Sequence, residues 1–103
     1  MSWASAAIDR LRQGQVVTPR PRGHSMVGRV NDGDLVTVEP LDERELRVGD
    51  IVLVRIHGHE YLHLVKAVQG VRSLIRNNRG GVNGRVGRSA IAGMAMQVTL
   101  AHT

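Results

Sequence analysis

The stretch NDGDLVTVEPLDERELRVGDIVLV, residues 31–54, makes one statement twice. A Gly-Asp turn leads into a valine-rich strand from Asn31 to Val38, and sixteen residues later the pattern returns from Arg47 to Val54. Gly and Asp suit turns for separate reasons, Gly by reaching positive φ and Asp by hydrogen-bonding its own backbone. Valine's branched Cβ favours the pleated strand. Working outward, the pattern predicts a strand over DLVTVEP with Val36 and Val38 on one side and Leu35, Thr37 and Glu39 on the other. A second strand, DIVLVRI, turns at HGH into a returning strand, EYLHLVKAVQ. VRSLIR is a further strand and AIAGMAMQVTL holds the last. QVVTPR reads as a short strand ended by Pro19 and Pro21, LDERELRVGD as a solvated connection, and NNRGGVNGRVG as a loop.

Upstream, SWASAAIDRLRQG places Trp3, Ala7, Ile8 and Leu11 at helical spacing and stops at Gly14. So short a helix is marginal alone and must dock. Residues 1–14 are therefore expected as an N-terminal helix on a β domain spanning 15–103. The fold class is mainly β: a small, strongly bent sheet or barrel-like domain with one short helix.

The 103 residues suit one modest core. With no Phe, one Trp and one Tyr, that core must be aliphatic. The absence of Cys excludes disulfides and thiolate chemistry. No apolar run approaches the roughly 18 residues of a membrane span, and the expected location is the cytoplasm. The net charge of +5 admits a polyanionic partner. The basic residues are scattered along the chain, however, and the aromatic platforms of single-strand binders are missing. RNNRGGVNGRVGR carries what case there is for nucleic acid, since glycines let backbone approach phosphates and arginine forks match their oxygens.

Ahead of the two Gly-Asp turns stands GHSM, residues 23–26. A serine between glycines is either a plain turn residue or a nucleophile presented on a tight turn. The ordered series GHSM, DGD, GDIV, YLHLV resembles the peptidase domain shared by LexA-type repressor peptidases and type I signal peptidases, over roughly residues 21–98. The resemblance implies a serine peptidase-like β domain in which Ser25 is the nucleophile. The oxyanion hole would be the backbone N–H of Ser25, with the Gly23–His24 segment beside it; such a donor is worth about 2.7–4 kcal/mol. LexA-type and bacterial enzymes use a desolvated lysine as base, but His63 stands at that place here. The archaeal and endoplasmic-reticulum signal peptidases carry a histidine in an HRV element, and HLV is similar. Lys66, three residues on, is the alternative base, and strand alternation sets it on the face opposite His63. Those histidine enzymes also supply an aspartate from a GDNN element. The matching stretch IRNNRGGVNG has Arg76 in its place, leaving Asn77, Asn78 and Asn83 as candidates to orient the imidazole. The proline that signal peptidases place after their Ser-Met is absent too, which is closer to the repressor type.

The expected activity is cleavage of an extended peptide or protein segment by a Ser25–His63 dyad, without a cofactor. The competing reading is a non-catalytic module of the same fold that binds peptide or nucleic acid. His57, His59 and His63 form an H-x-H-x-x-x-H array, but a turn glycine splits it and only Glu60 adds a carboxylate, so no metal site is expected. With neither a DNA-binding domain nor a membrane span in the sequence, a stand-alone or partner-dependent processing enzyme is expected. The sequence leaves substrate and oligomeric state open.

Overall fold

The computed structural model describes residues 3–21, 26, 29–77 and 81–100. Helix α1 (Trp3–Arg12) is followed by strands β1 (Leu35–Pro40), β2 (Ile51–Ile56), β3 (His59–Gln69), β4 (Arg72–Arg76), β5 (Val82–Gly87) and β6 (Ile91–Thr99). The six strands form one antiparallel sheet in the order β1-β6-β2-β3-β4-β5. The fold is mainly β, and its sheet is bent but not closed, since β1 and β5 are its two ends.

The two Gly-Asp turns are built alike. Asp34 Oδ2 accepts the Asn31 N–H at 2.9 Å, and Asp50 Oδ2 accepts the Arg47 N–H at 2.8 Å. In each the aspartate's own N–H returns to the same residue's carbonyl, at 3.0 and 3.1 Å. The third position needs positive φ, and Gly33 (+87°) and Gly49 (+95°) supply it without steric cost. Each turn also holds a neighbour: Gly33 N–H donates to Pro21, and Gly49 N–H to Val65 of β3.

Two aliphatic cores lie on opposite faces of the sheet. On the convex face, Ala4, Ala7, Ile8 and Leu11 of α1 pack with Val17, Met26, Val36, Val38, Leu53, Leu62 and Leu64. Burying a residue such as Ile8 or Leu11 contributes about 1.5–3 kcal/mol, which is what lets a ten-residue helix persist. Ser5 Oγ adds a 2.6 Å hydrogen bond to Glu60, which also pairs with Arg55. On the concave face, Val52, Val54, Ile56, Val65, Ile75, Val86, Ile91 and Met94 form the second core. The sheet curls around it far enough that a Cβ on Gly84 of β5 would lie 3.8 Å from Ile56 Cγ2 of β2.

Three local expectations are corrected. Residues 15–20 form a single bridge, Val17 with Val38, in place of a strand; Pro19 has no N–H to continue the ladder. The connection LDEREL keeps Asp42, Glu43 and Glu45 exposed as expected, but it is also pinned by Leu41 and Leu46, which are buried in the concave core, and by an Arg44–Glu39 ion pair. The second half of the predicted loop NNRGGVNGRVG is edge strand β5, whose Val86 is buried opposite Ser73. Its two glycines, Gly84 and Gly87, hide the alternation that would have shown it.

Gly93 marks the tightest approach in the sheet. A Cβ there would sit 2.6 Å from the Glu39 carbonyl oxygen, 2.9 Å from Val38 Cγ1 and 3.1 Å from Leu11 Cδ1. Backbone cannot move aside as a side-chain tip can. Gly93→Ala is expected to lower stability by about 1–3 kcal/mol in urea unfolding, and an unchanged midpoint would refute the close packing of β6 on β1.

Candidate functional site

His63 lies on β3 directly opposite Val52, so it shares the concave face with Val52 and Met94. It is 4% exposed, in company with aliphatic side chains. Tyr61, two residues back and on the same face, stacks on the imidazole with ring centroids 4.8 Å apart and planes 27° apart. The sequence reading did not include Tyr61, although its i, i+2 spacing from His63 already put it on that face.

Across the curl, His63 Nδ1 lies 2.7 Å from Asn83 Oδ1. An amide oxygen only accepts, so Nδ1 carries the proton and donates, and Nε2 keeps its lone pair. Asn83 reaches this position because β5 shifts register between its pairings with Ile75 and Arg76. Gly84 pairs with Ile75 and Val82 with Arg76, which leaves Asn83 as the extra residue of a bulge. Bulges re-aim side chains and mark edges. Gly84, at φ +141°, supplies backbone angles that a residue with a Cβ would adopt only under strain.

Burial disfavours the imidazolium and lowers the His63 pKa below 6.5, while the Asn83 hydrogen bond acts in the opposite, smaller sense. A neutral imidazole with an oriented proton on Nδ1 and an accepting Nε2 can take a proton from a hydroxyl.

Lys66 is exposed, and it occupies a bulge of its own. Val65 pairs with Ile75 and Ala67 with Leu74, so Lys66 has no counterpart in β4. The bulge takes Lys66 out of the β3–β4 ladder. Asn77 closes the β4–β5 connection: its N–H donates to the Gly81 carbonyl and its Oδ1 accepts the Gly81 N–H, both at 2.9 Å. Asn78 lies outside the described residues, as do Gly23, His24 and Ser25. The chain is held on both sides of 22–25. Pro21 is buried and accepts from Gly33, and Met26 is buried in the convex core with its carbonyl accepting from Arg29 and Val30. His57 and His59 are exposed at the β2–β3 turn, apart in environment from buried His63.

A family model described as Peptidase S24-like matches residues 2–94. None of the curated proteins matches the chain.

The lowered pKa makes a titration prediction. On acidification His63 should resist protonation until below pH 6.5, so its contribution to stability is present above that value. It is lost as pH falls through the lower folded-state pKa. Nitrogen-15 shifts of the ring should show a protonated Nδ1 and bare Nε2 at pH 7.5, and Asn83→Ala should redistribute the two tautomers. A bare Nδ1 in the wild type would overturn the hydrogen-bond assignment.

Proposed function

The chain belongs to the Peptidase S24-like family, and from that membership we propose that it is a serine endopeptidase working through Ser25 and His63. The observation that carries the reading is the neutral, buried His63 whose Nδ1–H is held by Asn83. In this mechanism Nε2 removes the Ser25 hydroxyl proton as Oγ attacks a peptide carbonyl. The backbone N–H of Ser25 and the Gly23–His24 segment receive the oxyanion. The imidazolium then returns its proton to the departing amine, leaving an acyl-serine that water hydrolyses by the same exchange in reverse. Asn83 keeps the ring in the useful tautomer, a role asparagine fills in some cysteine peptidases. It stands in for the aspartate that Arg76 displaces.

The substrate is an extended segment of a peptide or protein, and the site of action is the cytoplasm. β4 pairs with β3 only from Leu64 to Gln69, so the half of β3 carrying Tyr61 and His63 lies beyond the β4 ladder. An extended peptide laid along that half would pass the imidazole, using backbone hydrogen bonds for affinity. Residues 1–14 act with 15–103 as one unit in this reading, the helix covering the convex core. An exposed Lys66 lacks the desolvation that activates a lysine base.

A fluorophosphonate probe, which reports an activated serine, tests the proposal. Ser25 should carry the adduct by mass spectrometry, and labelling should rise with pH as His63 loses its proton, reaching a plateau by neutrality. His63→Ala should slow labelling about 10²- to 10⁴-fold, Ser25→Ala should abolish it, and Lys66→Ala should leave it nearly unchanged. Loss of labelling in Lys66→Ala with retention in His63→Ala would reverse the base assignment. A wild type that neither labels nor cleaves a broad peptide library would leave the binding-module reading in its place.

A further inference from the structure

All nine acidic residues of the chain lie at or before Glu60, while residues 61–103 carry Lys66, Arg72, Arg76, Arg79, Arg85 and Arg88 and no carboxylate. The fold turns this asymmetry in sequence into one in space, because β4, β5 and the second half of β3 are neighbours at one end of the sheet. Register then assigns the faces. Ser73, Ile75 and Val86 point into the concave core or are buried beside it. Gln69 pairs with Arg72, Arg72 with Gly87, Leu74 with Arg85, and Arg76 with Leu64, so Arg72, Arg76 and Arg85 all share the convex face. Helix α1 packs against β6, β1 and β3, at the other end of that face.

We propose that the convex face of β4–β5, through Arg72, Arg76 and Arg85, docks the phosphate backbone of a nucleic-acid duplex without reading its sequence. Arg72 and Arg76 are four residues apart on one strand, a span of about 14 Å. Arg85 stands opposite Leu74, between them on the next strand. Its Nε donates to Gln69 Oε1 at 2.8 Å, which fixes the fork while its terminal amino groups extend beyond that bond. Planar guanidinium forks match phosphate oxygens two at a time, and Arg keeps its charge at any working pH.

Three features favour a duplex backbone over other polyanions. Neither of the chain's two aromatic residues is on β4 or β5: Trp3 is on α1, at the other end of the convex face, and Tyr61 is on the concave side, so unpaired bases find no stacking surface among these arginines. The surface offers a membrane little to insert, with Leu74 half-buried, Val82 the one exposed large apolar residue described on β4 or β5, and Val71 alone in the adjoining turn. No carboxylate in these strands opposes the field. The docking face is independent of the peptidase reading, since it uses none of Ser25, His63 or Asn83.

The test is fluorescence anisotropy of a labelled 20-base-pair DNA duplex against the full chain from 50 to 200 mM salt. The wild type should bind, with a log–log salt slope near −3, as expected for about three neutralised phosphates. R72Q/R76Q/R85Q should weaken binding at least tenfold and flatten the slope by two to three units. R10Q/R47Q, which removes two charges elsewhere, should match the wild type. Thermal melting and fluorophosphonate labelling of the triple variant should be unchanged, which separates lost docking from lost folding and from the fate of the peptidase proposal. The inference is overturned by absence of duplex binding at 50 mM salt, or by equal binding of wild type and triple variant. Binding to phosphatidylserine vesicles or polyglutamate as tight as to the duplex would overturn it as well.

Discussion

Where the imidazole of His63 points depends on the two-residue turn at His57–Gly58. Both residues have positive φ, +50° and +80°, the requirement of a tight hairpin turn whose twist matches its strands. That turn pairs Ile56 with His59 and, counting back, Val52 with His63. Because side chains alternate with a period of two, a slip of one residue would send His63 to the convex face and Leu62 and Leu64 to the concave one. The aliphatic partition between the two cores resists such a slip, since Leu53, Leu62 and Leu64 belong to one and Val52, Val54 and Val65 to the other. Register, burial of His63 and its lowered pKa are therefore consequences of one local geometry.

The irregularities of the sheet perform the next level of selection. A bulge at Lys66 removes it from the ladder, and its side chain is exposed. A second bulge, next to Gly84, aims Asn83 at His63. The second could not operate in a flat sheet, since β3 and β5 are separated by β4 and their side chains meet only because the sheet curls around Ile56, Ile75 and Val86. The aliphatic core therefore does more than stabilise the domain. Its volume sets the curvature that brings an edge-strand amide to a central-strand histidine.

Charge follows the same logic on the opposite face. The carboxylates sit in α1, at Glu39 of β1, in the turns and connections before β2, and at Glu60. The last strands are left to arginine, and alternation brings three of those arginines to one side. A concave side holding a buried histidine and a convex side holding fixed positive charge give the two faces separate chemical characters.

Much of this was legible in the residues. Two Gly-Asp turns, valine-rich strands and GHSM ahead of them establish a mainly β domain and its family, because turn chemistry and β-branching act locally and need no distant partner. His63 could be singled out by its position in YLHLV, and Asn83 as one of three asparagines. The selection among those asparagines could not be made from sequence, because it rests on a bulge and on a curl produced by packing across the whole sheet. β5 was hidden for a related reason: glycines give no alternation, and that strand exists through its pairing with β4. The stacking of Tyr61 on His63, the exposure of Lys66 and the gathering of scattered arginines on one face are likewise tertiary facts. Each depends on which residues stand opposite one another, and only the folded sheet decides that.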